Sequence, residues 1–182
     1  MLMNRRNSLL MIIDVQERLA PAMDDPRQVI SNSARLVGAA KAMGVPFVIT
    51  EQYPKGLGQT MIDVRQEAGD EAAFFSKLYF SCAREPEIMR AIQEAGRRQI
   101  ILAGAETHIC LLQTAMDFKG QGYEVFVVSN ASSSRDAVQN MMALQRMAHD
   151  GIDIVTSEMV IFEWLEKAGT DEFKQIVNKY IL

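Results

Sequence analysis

Four short runs of apolar residues constrain the fold of this chain more than any other feature. Leu9-Leu10-Met11-Ile12-Ile13, Pro46-Phe47-Val48-Ile49-Thr50, Ile100-Ile101-Leu102-Ala103 and Val125-Phe126-Val127-Val128 are each too short for a helix, and none alternates with polar residues. A strand with one wet face alternates; a strand buried on both faces does not, and a sheet with both faces covered is characteristically parallel. Weaker strands are predicted at Ala73–Ser76 and Ile152–Thr156, which makes six.

The stretches between these runs carry helical signals. Pro26–Met43 places Val29, Leu36, Val37 and Ala40 at helical spacing and stops at Gly44, with Pro46 beyond. Pro86–Ala95 begins with a proline that a first turn tolerates and ends at Gly96. Thr107–Gly120, Asp136–Asp150, Ser157–Lys167 and Asp171–Tyr180 complete the set. Alternating strand and helix predicts a three-layer α/β/α Rossmann-like fold with a central, mainly parallel six-stranded sheet and right-handed crossovers. In such sheets ligands gather outside the carboxyl ends of the strands, so residues at those ends are the ones to inspect. The segment Glu51–Gly69, broken by Pro54, Gly56 and Gly58, reads as an irregular loop over that edge.

With 182 residues, 48% of them apolar, the chain reads as one domain spanning 1–182 whose core needs neither staples nor metal. The net charge of −4 and the scattered Lys and Arg point away from nucleic acid. No apolar stretch approaches the ~20 residues of a membrane span. Two cysteines, Cys82 and Cys110, match no metal-binding spacing and fit a reducing, cytoplasmic setting. No export signal is read at the N-terminus.

Three residues at predicted strand ends could carry chemistry. Asp14 directly follows the first buried strand, where a charge is costly without a partner or a task; a capping role is the alternative. Gln16 could orient Asp14 or face solvent. Cys110 lies within the first turn of the helix that Thr107 starts, where unpaired N–H groups and the helix dipole favour a thiolate; inert packing is the alternative. Lys77 supplies a cation at the same edge, although a lone lysine is ordinarily a solvated one. What favours chemistry is the convergence of acid, cation and thiol from three strands.

The pattern Asp14-Val15-Gln16, then Lys77, then Gly104-Ala105-Glu106-Thr107-His108-Ile109-Cys110 resembles the isochorismatase-like cysteine hydrolases. Members pair D-x-Q after the first strand with a lysine after the third and G-x-x-T-x-x-C after the fourth. The segment Thr50–Gly58 (TEQYPKGLG) is most similar to the isochorismatase-domain-containing branch. The resemblance implies a metal-independent hydrolase without cofactor, acting on a small amide, carbamoyl or related C–N substrate through a covalent Cys110 intermediate. It implies Asp14 as base, with Lys77 holding Asp14 ionised. It also implies a cis peptide at Ala105–Glu106, with the Glu106 and Cys110 N–H groups facing a developing oxyanion. Gln16, Tyr53, Thr107 and His108 would line the substrate site, and the protein would be a homo-oligomer. Nicotinamidases of the family carry Asp-x-His for a metal where this chain has Glu51-Gln52-Tyr53. True isochorismatases lack the cysteine.

Two other readings stand beside this one. The chain could be a non-catalytic interaction protein, or a thiol redox protein using Cys110 with Cys82 as resolving partner. Cys82 itself reads as structural or rim-lining, Met141-Met142 as core or subunit contact, Phe162 and Trp164 as packing, and His149 as solvent-facing.

Overall fold

The computed structural model describes residues 1–182. Six strands form one sheet: β1 (Ser8–Ile13), β2 (Phe47–Gln52), β3 (Phe74–Lys77), β4 (Gln99–Ala105), β5 (Glu124–Ser133) and β6 (Asp153–Val155). Their spatial order is β3-β2-β1-β4-β5-β6 and every pairing is parallel. Eight helices connect or follow them: α1 (Pro26–Ala42), α2 (Pro54–Leu57), α3 (Ile62–Ala68), α4 (Pro86–Ala95), α5 (Leu112–Gly120), α6 (Ala137–His149), α7 (Ser157–Leu165) and α8 (Asp171–Tyr180).

The unbroken apolar character of β1 is explained by its place at the centre of this stack. Leu10 and Ile12 pack into one core layer with Leu36, Val37, Ala40, Val64, Val160, Trp164 and Ile176, which come from α1, α3, α7 and α8. Leu9, Met11 and Ile13 point the other way, onto Ile88, Ile92, Ala115, Phe118 and Met147 of α4, α5 and α6. Alternate residues of one strand thus feed opposite cores, so both faces must be apolar.

Four local features differ from the sequence expectation. The segment 51–69 is more regular than a loop, since it finishes β2 and then holds α2 and α3. Lys77 is the last residue of β3 rather than the first beyond it. β5 runs on to Ser133 because its polar end pairs with β4 after a register shift, Leu102 facing Val127 and Gly104 facing Ser132. Thr107–Gly120 is not one α-helix: residues Thr107–Leu111 form a single π-helical turn before α5. Such turns recur at functional sites and are invisible to a 3.6-residue period.

Along the chain, strands are added from β1 outward to β2 and β3, then from β1 outward the other way to β4, β5 and β6. The switch point therefore lies between the ends of β1 and β4. Gly104 governs how closely those ends approach. Its φ is +127°, and a Cβ there would lie 2.0 Å from the Ile13 carbonyl oxygen, so only glycine fits.

Candidate active site at the carboxyl edge

Asp14 leaves β1 in a left-handed backbone conformation (φ +54°), which aspartate tolerates better than most residues. Its carboxylate is fully buried and held on both oxygens. Thr50 Oγ1 donates to Oδ1 at 2.8 Å, and Lys77 Nζ stands 2.8 Å from Oδ2. Lys77 comes from β3 and reaches Asp14 past β2, so its ammonium is equally buried. It also donates to Tyr79 O at 3.2 Å, Phe80 O at 3.0 Å and Gln52 Oε1 at 2.5 Å. Four acceptors thus surround three N–H bonds.

Cys110 completes the group from the turn after β4. Its thiol lies 4.0 Å from Gln52 Oε1 and near enough to Asp14 to feel that carboxylate's charge. The cis peptide joins Ala105 to Glu106 at the entrance to this turn.

The electrostatics follow from the burial. Desolvation raises the Asp14 carboxyl above its ordinary 3.8, against the opposing pull of Lys77, Thr50 and Cys110. For Lys77, burial pulls downward, but Asp14 together with the two cysteines outweighs it and the net shift is upward. Cys110 departs from the sequence expectation. A helix start was expected to favour its thiolate, yet burial, reinforced by the adjacent Asp14 charge, pushes the thiol up. Two unfavourable terms outweigh the attraction of Lys77, and the turn that holds Cys110 is not an α-helical start.

The remaining expected residues divide. Gln16 is fully buried and its amide is spent on the backbone: Nε2 donates to Gln52 O (3.0 Å) and Gly58 O (2.9 Å), while Oε1 accepts from Gln52 N–H (2.8 Å). Its backbone N–H donates to Asp14 O at 2.9 Å, but its side chain neither bonds Asp14 nor faces solvent, and no side-chain donor is left for a substrate. Gln16 therefore braces the site rather than offering a substrate contact. Tyr53 is half-exposed and walls a cleft of about 540 Å³ beside Lys77, together with Leu78, Tyr79 and Glu85. His108 is not part of that cleft; its Nδ1 lies 2.9 Å from Ser134 Oγ. Thr107 is fully buried with its hydroxyl unpartnered. Glu106 accepts from Arg135 N–H and Nε–H at 3.0 and 3.1 Å, fastening the end of β5 to the turn.

Cys82 is structural in setting rather than rim-lining. It is fully buried, its backbone N–H donates to Thr114 Oγ1 at 3.0 Å, and burial followed by the Asp14 charge pushes its thiol up to about 11. Both cysteines are free. Trp164 and His149 lie where expected, in the core and in solvent; Met141 and Met142 are exposed, outside the core, and Phe162 is exposed where packing was expected. The Glu51 carboxylate accepts from Thr60 N–H and Oγ1 at 2.7 and 2.8 Å, bracing the loop. No helix is long and apolar enough to cross a membrane.

A family profile for the isochorismatase domain matches residues 8–159, from the start of β1 into α7. The chain belongs to the isochorismatase family. Isochorismatase domain-containing protein 1 of Danio rerio is 40% identical over 94% of this chain, which spans 60% of that relative's length. Isochorismatase domain-containing protein 2 of Xenopus laevis is 36% identical over 96% of this chain and 83% of its own. Among solved structures, one described as MAR1 ribonuclease from Caenorhabditis elegans superposes with a TM-score of 0.92 at 32% identity, covering 100% of this chain and 92% of that one. The fold of this isochorismatase-family chain is thus the fold of its relatives, with Asp14, Lys77 and Cys110 at its switch point.

Proposed function

We propose that the chain is a cysteine hydrolase acting on a small amide, carbamoyl or related C–N substrate. The observation that carries this reading is the buried Asp14–Lys77 ion pair with a thiol laid against it. A buried ion pair is poor value as a stabilising device, since desolvation consumes most of its attraction. A carboxylate raised above 3.8 and adjacent to a thiol is, however, well matched to accept that thiol's proton.

In this mechanism Cys110 Sγ attacks the substrate carbonyl carbon as its proton passes to Asp14, and the carbonyl π pair moves onto oxygen. Backbone N–H groups of the turn that follows Ala105 would receive that oxyanion. The tetrahedral adduct collapses, expelling the nitrogen group, which takes the proton from Asp14 and leaves an acyl group on sulfur. Asp14 then draws a proton from water as it attacks the thioester, and the departing thiolate recovers that proton. Lys77, committed to four acceptors, keeps Asp14 ionised and steady and does not itself donate. The thiol is neutral at rest, so nucleophile and base are activated together.

The C. elegans relative's description as a ribonuclease names a second reading. The net charge of −4 gives no overall attraction for a polyphosphate backbone, which favours the small-molecule reading. Self-association is proposed along with it, with Val138, Met141 and Met142 as the exposed apolar strip on α6; light scattering measures it.

The test is iodoacetamide labelling of native protein across pH, read by mass spectrometry at Cys110 and Cys82 separately, followed by a panel of small amides and carbamoyl compounds with an RNA substrate alongside. Cys110 labelling that depends on Asp14, plus an acyl mass on Cys110 during turnover, supports the hydrolase. Labelling indifferent to Asp14→Asn and Lys77→Ala, with no amide turned over, refutes it.

A further inference from the structure

The hydrolase reading leaves one polar contact unused: Gln52, at the end of β2, stands between Lys77 and Cys110. The orientation of its amide is fixed by chemistry. Lys77 Nζ can only donate and Leu78 O can only accept, so Oε1 must face the ammonium and Nε2 must face Leu78 O, to which it donates at 2.9 Å. The same Oε1 is then the atom 4.0 Å from the sulfur.

An acceptor turned toward sulfur suits a thiol and opposes a thiolate. Gln52 is itself held from behind. Gln16 clasps its backbone N–H and carbonyl with one amide, itself tied to Gly58 O, so the end of β2 cannot rotate away without breaking two hydrogen bonds. The D-x-Q spacing therefore does two things: Asp14 faces the thiol directly, and Gln16 reaches it through Gln52.

We propose that Gln52 is a positioning residue that holds Cys110 as a neutral thiol in the resting protein, by aiming its carbonyl at sulfur, with Gln16 as its anchor. This rests on the hydrolase reading. It gives that site a resting state that resists alkylation and peroxide, because the thiolate is the reactive form. Substrate binding then permits deprotonation only in concert with attack.

Two near-isosteric changes test it with opposite signs. Gln52→Glu adds a negative charge about 4 Å from sulfur and should move the midpoint of Cys110 alkylation up by about one pH unit or more, slowing labelling at neutral pH about tenfold. Gln52→Met removes the acceptor that faces sulfur and leaves the ammonium its three other acceptors. It should move the midpoint down and speed both alkylation and peroxide oxidation of Cys110, with Cys82 unchanged. Thermal melts of both variants confirm folding. A residue with only a packing role would leave the midpoint in place, so coincident profiles, or shifts of the same sign, overturn the inference while leaving the hydrolase reading intact. If wild-type Cys110 labels with no dependence on Asp14, the hydrolase reading falls and this inference with it.

Discussion

Removing Lys77 should damage the protein far more than removing Asp14, and the asymmetry can be worked from the contacts. In Lys77→Met the Asp14 carboxylate stays fully buried with Thr50 Oγ1 as its chief remaining donor, so a charge is left uncompensated. Breaking a buried pair in this way costs about 3–5 kcal/mol. In Asp14→Asn the ammonium retains Gln52 Oε1, Tyr79 O and Phe80 O, and the loss should be nearer the ~1–3 kcal/mol of a strong hydrogen bond. For a chain of this length the lysine variant should melt about 6–20 °C lower. The double variant, with no charge to bury, should be more stable than Lys77→Met alone. Urea titration at several pH values reads all three. The sign of the pH dependence is fixed. Without Lys77, Asp14 is raised still further, and a raised carboxyl contributes stability that is fully present below its unfolded value of 3.8 and is lost as pH rises through the folded value. The Lys77→Met deficit should therefore grow with pH and then level off. A lysine variant no worse than Asp14→Asn, or a double variant whose loss equals the sum of the singles, would refute the claim that the pair is buried and coupled.

Hydrolysis should fall on acidification at a midpoint above 3.8, since protonating the raised Asp14 removes the base; a pH–rate profile checks this. Cys82→Ser should leave turnover unchanged if the hydrolase reading holds, and a loss of reversible oxidation in that variant would instead favour a redox role; activity and non-reducing mass measurements separate the two. Gly104→Ala should destabilise by about 3 kcal/mol or more, because its Cβ meets the Ile13 carbonyl at 2.0 Å in a conformation that already disfavours side chains; a urea midpoint close to wild type would contradict the close approach of β1 and β4.

The sheet was legible because strands buried on both faces cannot hide their composition, and Leu9–Ile13 shows it most plainly, alternate residues entering separate cores. The acid, the cation and the thiol were legible because each ends or follows a strand at one edge. What escaped was set by contacts that local pattern does not encode. No periodicity distinguishes a π-helical turn from the start of an α-helix at Thr107. The polar end of β5 pairs only because β4 lies beside it. The direction of the Cys110 shift depends on how deeply Asp14 is buried next to it. Gln52 carries a legible signal of its own, since it is a polar residue closing a buried strand just as Asp14 follows one.

The strand order also sets when the site can exist. Both members of the ion pair lie within the first 77 residues, on strands that with β2 form one side of the sheet, while the thiol belongs to the other side. At about 5–20 residues per second, a ribosome releases Cys110 roughly 2–7 s after Lys77. A nascent chain therefore carries its acid and its cation before it has a nucleophile, and β4, which seals the open edge of β1, is also the strand that delivers the sulfur. On the proposed reading, chemical competence arrives only when the second side of the sheet is in place.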